Sequence, residues 1–583
     1  MKAWMAAAAL AWMAAAPAHA QTASEALARV FADQQAQAWR EEPVSATRAG
    51  VRDYDDRLGG VTPADQQRRE GQDRAFLVRL RAIDRAALPH QEQVSYDLFE
   101  AMLSQELSLA RYNEWRMPLN SDSGFYSGVL MLHETHAPRT VRDYETYIAR
   151  LRDVRRYFRE QIANMRQGMR EGFTLPSALM PGLAPVIERM QFARAEDVPL
   201  WRPFAAFPPT VPQDERARLA AEGRAALDEA VIPAFSEFRA FFVEEYAPRA
   251  RRTIAATALP NGRAYYRDLV RYFTTLPDAT PEQVHRIGLA EVARIRREME
   301  AVIAEAEFDG SFDEFTTFLR TDPQFYPTSA DQLLREAAWI TREIDGQMPN
   351  FFGRIPRTPY TVRPVPAQLA PNYTTGRYSS GPIGAAGQYW VNTYALETRP
   401  LYVLPSLTAH EAAPGHHTQI QLARELEDLP AFRRAFYPHA FGEGWGLYAE
   451  RLGEEMGIYH TPYQRFGRLT YEMWRACRLV VDTGMHAMGW SRERAIDYMT
   501  ENTSLTSHEI RTEIDRYIGW PGQALAYKIG ELKIVELRQR AEAALGDRFD
   551  VRAFHDAVLA NGGVTLPVLE REIDAYIAAA QAR

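Results

Sequence analysis

Apolar residues recur at steps of three and four along much of this chain, and this helical period is the feature that most limits the fold. It is clearest before Gly172, in a run separated by arginine and glutamate: Tyr144, Ile148, Leu151, Val154, Phe158, Ile162, Met165 and Met169. A second run follows Thr280, a predicted N-cap, with Pro281 at the first helical position and a predicted buried face of Val284, Ile287, Val292, Ile295, Met299 and Val302. These runs predict a mainly α fold.

The helical texture changes between Pro356 and Pro405, where proline, glycine and tyrosine gather and residues 388–392 read as a short strand. Helical patterns return after Ser406. We therefore expect a helical N-terminal lobe at residues 21–350 and a second lobe at residues 351–583, which contains the candidate zinc-binding and catalytic residues described below. With 583 residues, 46% of them hydrophobic, the two lobes can form one compact body with a deep site.

The first 20 residues are typical of a cleaved export signal. Lys2 gives a basic start, residues 5–16 form an apolar run, and residues 18–20 offer a small-x-small cleavage site after Ala20. The alternative is an uncleaved anchor, but the run is shorter than the roughly 20 residues needed to cross a bilayer. We expect a periplasmic or secreted protein with no membrane span.

Cys477 is the only cysteine, so the chain cannot form an internal disulfide, and this residue lies too far from the signal to carry a lipid there. A small buried apolar side chain is its expected role. The net charge of -8, with both signs mixed along the chain, gives no basic stripe for nucleic acid.

The most informative segment is His-Glu-Ala-Ala-Pro-Gly-His-His, residues 410–417. A zinc helix usually carries His-Glu-x-x-His, because a spacing of four returns both imidazoles to one face. If Pro414 and Gly415 are an insertion, His410 and His416 restore that pair. Proline breaks the helical hydrogen bond and glycine tolerates the backbone that must follow, so we expect a kink here.

The spacing leaves two candidates for the second ligand. On a straight helix His416 would point about 120° away from His410, and His417 would lie about 10.5 Å further along the axis, so neither could share a zinc ion without a kink. We favour His416, with the other histidine as a hydrogen-bonding neighbour.

A third ligand is expected from a separate helix, and Glu443, between two glycines, is the best candidate. Glu450, two turns later, could bind the free nitrogen of a ligand histidine. These residues predict a zinc site. The plain alternative is that the histidines cap or fill an ordinary helix.

Both motifs resemble those of the bacterial family catalogued as domain of unknown function 885. The likeness extends to residues 280–288, 389–393, 482–486 and 516–528. That family is itself similar to helical zinc peptidases of the thimet oligopeptidase, neurolysin and thermostable carboxypeptidase type. This chain differs from those peptidases by its Pro414-Gly415 insertion. The resemblance implies an elongated helical shell with a deep central cleft and a small β-sheet beside the zinc helix.

From these residues we expect a zinc-dependent hydrolase that cleaves short peptides, with Glu411 as general base on a zinc-bound water. The segment 521–527 resembles the loop that stabilises the oxyanion in the related peptidases, so Tyr527 is the first candidate donor. Tyr517 and His486 are weaker candidates, each with an alternative as a buried aromatic or packed histidine.

Three further expectations concern the substrate. Arg478 or Lys528 could hold a substrate carboxylate, although a solvated basic residue is the favoured interpretation for both. The strand at residues 389–392 could pair with an extended peptide. Two other functions stay open: an amidohydrolase acting on a nonpeptide or peptidoglycan-derived amide, and a non-catalytic peptide-binding protein, against which the intact Glu411 argues.

Overall fold

The computed structural model describes residues 2–121, 123–367, 370, 373–381 and 385–582, with side chains from residue 22 onward. Its contacts divide the chain into two units. The first consists of Met1–Tyr265 and Ile518–Trp520, and the second of Tyr266–Tyr517 and Pro521–Arg583. The division predicted near residue 350 differs from this one, because α13 and α15, defined below, pack within the second unit.

The first unit is built from helices: α1 (Lys2–Glu41), α2 (Pro43–Arg48), α3 (Pro63–Arg81), α4 (His90–Ala110), α5 (Phe125–Leu130), α6 (Leu132–His136), α7 (Val141–Glu171), α8 (Met180–Glu188), α9 (Arg202–Ala205), α10 (Gln213–Ala226) and α11 (Ile232–Phe241). Helix α7 is the long amphipathic helix that the sequence predicts, and Gly172 ends it with a left-handed backbone, φ 75°. The predicted export signal lies in α1, but the side chains of residues 2–21 are outside the described ones.

Helix α12 (Gly262–Thr274) leads into the second unit, whose helices are α13 (Pro281–Glu305), α14 (Phe312–Thr321), α15 (Ala330–Phe351), α16 (Leu404–Glu411), α17 (His416–Arg424), α18 (Ala431–Ala435), α19 (His439–Glu455), α20 (Pro462–Ala487), α21 (Arg492–Asn502), α22 (Ser507–Gly519), α23 (Ala526–Leu545), α24 (Val551–Leu559) and α25 (Leu566–Gln581). The mainly α fold with a small sheet is thus confirmed. The elongated shell and its cleft stay predictions.

Helix α13 begins as predicted, with the hydroxyl of Thr280 accepting from the Gln283 backbone. It packs along α20, where Gly288 lies so close to Leu479 that an added Cβ would stand 2.7 Å from the leucine Cβ. The prediction that Ile287 is buried is wrong: it is 39% exposed, because the contact face turns toward Gly288. Cys477 on α20 is fully buried, as expected.

The small sheet has three strands, β1 (Tyr360–Pro364), β2 (Gly376–Ser379) and β3 (Gly387–Val391), in the order β1-β3-β2. Strand β3 pairs parallel with β1 and antiparallel with β2. The expectation that this predicted strand would pair with substrate is therefore wrong, since both of its edges are occupied. Its Tyr389 hydroxyl lies 3.2 Å from the Thr408 hydroxyl, so the sheet packs beside α16 as predicted.

In the part of the chain that the structure describes, no helix combines the length and apolar character needed to span a membrane.

Candidate metal centre

The two helices that carry the histidine motif are separated by a sharp interruption. Helix α16 ends at Glu411 and α17 begins at His416. The amide of Gly415 donates to the Ala409 carbonyl at 3.0 Å, and an added Cβ at Gly415 would lie 2.0 Å from the His410 carbonyl oxygen. Only glycine, which has no Cβ, fits at this position, where the backbone folds back onto the end of α16.

The interruption brings together three potential metal ligands: His410, His416 and Glu443. One ligand atom from each lies within 4.8 Å of the others. The Oε2 atom of Glu443 is 3.5 Å from His416 Nε2 and 3.8 Å from His410 Nε2. Tetrahedral zinc ligands stand about 3.4 Å apart, so small inward movements would let these residues hold zinc. Two imidazoles and a carboxylate leave one coordination position open, as catalytic zinc requires.

Helix α19 fixes His410 from two sides. Its Glu450 carboxylate lies 2.8 Å from His410 Nδ1, as the sequence predicted, and is 1% exposed. An added Cβ at Gly446 would lie 2.7 Å from the imidazole, so this glycine leaves the space that the ring occupies. Glu450 thus directs the other nitrogen, Nε2, toward Glu443.

The charges of the cluster favour a cation. Burial by itself would lower the pKa of His410, but its contacts with Glu443 and Glu450 raise that pKa to about 10. Burial would likewise raise the pKa of Glu443, yet His410 and His416 hold it well below its ordinary value. The protein therefore keeps the carboxylate charged, and a metal ion can take the place of the imidazolium proton.

His417, the alternative second ligand, points elsewhere. Its Nδ1 lies 3.1 Å from the Tyr378 hydroxyl, and its ring centroid is 4.4 Å from that of Tyr360. Burial lowers the pKa of His417 to about 4. It joins α17 to the sheet, whereas His416 faces Glu443.

Glu411, the predicted general base, is held by the sheet. Its Oε2 accepts a hydrogen bond of 2.7 Å from the Tyr378 amide on β2. The residue is 9% exposed. Its charge contributes to the raised pKa values of His410 and Tyr437, after burial and other contacts, which places it beside the ligand cluster.

The predicted oxyanion donors lie in a neighbouring group of buried side chains. The Tyr527 hydroxyl is 3.3 Å from Arg516 Nη2, and its ring lies under the Arg478 guanidinium. Tyr517 donates to Glu513 at 2.6 Å. His486 is fully buried, with Nε2 3.0 Å from the Tyr517 carbonyl. The structure does not bring Tyr517 or His486 to the three ligand residues.

The prediction that Arg478 and Lys528 are solvated basic residues is wrong, because both are buried. Lys528 is fully buried and its Nζ lies within 3.1 Å of three carboxylates, those of Glu291, Glu472 and Glu531. Arg478 is 2% exposed. Both are paired inside the protein with carboxylates that lie far away in sequence, Lys528 with Glu472 and Arg478 with Glu513.

Tyr437 is a site residue that the sequence analysis missed. Its ring lies against Gly442, where an added Cβ would be 2.1 Å from a ring atom, and its centroid is 6.5 Å from that of His416. Desolvation of the hydroxyl raises the pKa of Tyr437 well above its ordinary value, and Glu443 and Tyr527 add to the rise. The residue as a whole is still 37% exposed, and its hydroxyl stays protonated, so it can donate a hydrogen bond close to Glu443.

Comparisons with known proteins give a family but no activity. A family model described as "Bacterial protein of unknown function (DUF885)" matches residues 43–573. A crystal structure from Colwellia psychrerythraea covers 96% of this chain and 100% of its own, with 27% identity and a TM-score of 0.88. A solved structure from Shewanella oneidensis covers 94% of this chain and 98% of its own, with 19% identity and a TM-score of 0.72, which shows the fold alone. Both are described as a "putative lipoprotein". No curated protein matches.

Proposed function

The chain belongs to this DUF885 family of bacterial proteins, and from its own side chains we propose that it is an exported zinc-dependent hydrolase that cleaves peptide bonds in short peptides. The observation that carries the proposal is the convergence of His410, His416 and Glu443, with one ligand atom from each within 4.8 Å of the others. Three ligands with a fourth position open are typical of hydrolytic zinc sites rather than structural ones.

Each residue around the cluster has a part in the reaction. His410, His416 and Glu443 would hold zinc, which supplies Lewis-acid polarisation and activates water near neutral pH. Glu411, fixed by the Tyr378 amide, removes a proton from the attacking water and passes it to the leaving nitrogen. Tyr437 donates to the oxyanion that develops on the carbonyl, with Tyr527 as the second candidate donor.

Two observations support the location. The N-terminal segment has the layout of an export signal, and two structural neighbours are each described as a "putative lipoprotein". We infer an extracytoplasmic protein, periplasmic or secreted, which would meet peptides released outside the cytoplasm.

The test is a peptide digest with a matched inactive variant. The zinc-loaded mature protein is incubated with a mixed peptide library, and the new termini are identified by mass spectrometry. We expect cleavage by the native protein and none by Glu411→Gln, with equal zinc content in both by elemental analysis.

Other outcomes separate the alternatives. Zinc binding with hydrolysis of peptidoglycan-derived amides, but of no peptide, would favour an amidohydrolase. Peptide binding that is equal in the native protein and Glu411→Gln, with no hydrolysis of any amide, would favour a binding protein. Failure to bind zinc would refute the proposal.

A further inference from the structure

Arg478 presents a buried donor for which the described residues provide no partner. Its Nε donates to the Tyr517 hydroxyl at 2.7 Å and its Nη2 to Glu513 at 2.9 Å. Its Nη1 is buried and has no hydrogen-bond partner among the described residues. A buried charged donor left unpaired is costly, so its presence in a polar cluster indicates a group that arrives from outside.

The charges around Arg478 specify an anion. Arg516 on α22 lies 3.4 Å from the same carboxylate, Glu513, so two guanidinium groups share one negative charge. The hydroxyl of Tyr517 donates to that carboxylate as well, which further occupies it. The cluster thus keeps one positive charge in excess, and a planar guanidinium matches a carboxylate with paired hydrogen bonds.

The cluster adjoins the candidate metal centre through α20. Arg475, three residues before Arg478, lies 3.4 Å from the Glu450 oxygen that contacts His410. Residues three apart on a helix are neighbours on one face. Tyr527 belongs to the cluster, since its ring lies 4.3 Å from the Arg478 guanidinium carbon and its hydroxyl contacts Arg516. It also contributes to the raised pKa of Tyr437, whose ring lies near His416.

Lys528, the other buried cation considered for a substrate carboxylate, is already neutralised, because three carboxylates surround it. Arg516 is 24% exposed at its side chain, so the cluster has an accessible side next to the buried Arg478.

We propose that Arg478 and Arg516 bind the terminal carboxylate of the peptide substrate, so that the protein removes residues from the C-terminus. This inference rests on the proposed hydrolase function and specifies which end of the peptide is bound. A peptide carboxylate placed there supplies the acceptor that Arg478 Nη1 lacks. Each further residue between the terminal carboxylate and the cleaved bond would add about 3.5 Å of chain. The distance from the two arginines to the metal centre therefore fixes how many residues are removed in one cleavage.

The experiment compares pentapeptides that carry a free C-terminal carboxylate with the same peptides as C-terminal amides. We expect the native protein to cleave the acids about 100-fold faster in kcat/KM, because the amide leaves the buried guanidinium unpaired. Arg478→Gln and Arg516→Gln should each lose this preference mainly by slowing cleavage of the acids. Arg511→Gln, an exposed arginine on the same helix as Arg516, should keep it.

A binding measurement separates the two proposals. Acid and amide peptides are titrated by calorimetry into zinc-loaded Glu411→Gln, with and without Arg478→Gln, after circular dichroism has shown that both variants fold. Tighter binding of the acid that depends on Arg478 supports the carboxylate site even if no peptide is hydrolysed. Equal cleavage and equal binding of acid and amide would overturn it and leave the hydrolase proposal standing.

Discussion

At the scale of single residues, the sequence names the ligands but not the groups that orient them. His410, Glu411, His416 and Glu443 are recognisable because a metal site needs these side-chain types at restricted spacings. Tyr437 carries no such spacing signal. Only its position before the Gly-Glu-Gly stretch of α19 could have pointed to it, and its closeness to Glu443 results from the packing of its ring on Gly442.

We expect Tyr437→Phe to lower kcat/KM for peptide hydrolysis by about 10²- to 10³-fold, because it removes one donor to the oxyanion. Zinc affinity should not change. The measurement is steady-state kinetics beside zinc titration. Tyr394→Phe, at an exposed tyrosine, is the control. A native rate in the Tyr437 variant would show that this hydroxyl has no part in the reaction.

Glu450→Gln should weaken zinc binding by about 10- to 100-fold, since the carboxylate that orients and charges His410 is lost. Competition with a chromogenic chelator measures this affinity. Glu455→Gln, on the exposed side of the same helix, should bind zinc like the native protein. If both variants kept native affinity, the contact between Glu450 and His410 would be irrelevant to the metal.

At the scale of helices, two close contacts shape the site. The break between α16 and α17 is held by Gly415 and by the Trp445 indole, which donates to the Pro414 carbonyl at 2.9 Å. Helix α19 then touches α23, where an added Cβ at Gly530 would lie 1.7 Å from the Ala440 carbonyl oxygen. Since Glu443 is on α19, the spacing of these two helices sets the position of the third ligand.

Gly530→Ala should therefore destabilise the protein by about 1–3 kcal/mol or more and also weaken zinc binding, because the two helices must separate. Gly346→Ala is the matched control: it lies within α15 with no atom within 4 Å of an added Cβ, and it should be neutral or stabilising by about 0.5–1 kcal/mol. Chemical denaturation gives both values. Equal stability of the two variants would contradict the tight packing of α19 on α23.

At the scale of the whole molecule, the second unit contains every residue of the proposed site and buries many charged groups. Asp482 is one of them. It accepts hydrogen bonds from the Tyr266 hydroxyl at 2.6 Å and from the Gly522 amide at 3.1 Å. Desolvation raises the pKa of Asp482 from 3.8 to about 7 despite these bonds.

This pKa gives a prediction with a definite sign. Between about pH 4 and 7 the folded state binds the proton that the unfolded chain has lost, so the contribution of Asp482 to stability is present at low pH and falls as the pH rises through 7. Asp482→Asn cannot ionise and should gain stability relative to the native protein between pH 5 and pH 8, by up to about 3 kcal/mol.

Urea unfolding at both pH values measures this difference. Asp497→Asn, at an exposed position on α21, should show no such pH-dependent gain. If the free energies of unfolding of the native protein and Asp482→Asn differed by the same amount at both pH values, Asp482 would be ionised at both.

The sequence by itself determined the mainly helical character, a strand that it placed at residues 388–392 and the structure at 387–391, and the types of side chain in the ligand cluster. Periodicity, capping and ligand spacing act over a few residues, which is why the sequence could determine them. Tertiary structure decided which histidine faces Glu443, since the break after Glu411 fixes the rotation of α17. It also decided that β3 is central and that Arg478 and Lys528 are buried. These outcomes depend on partners distant in sequence, such as Glu513 and Glu472, which no local pattern identifies.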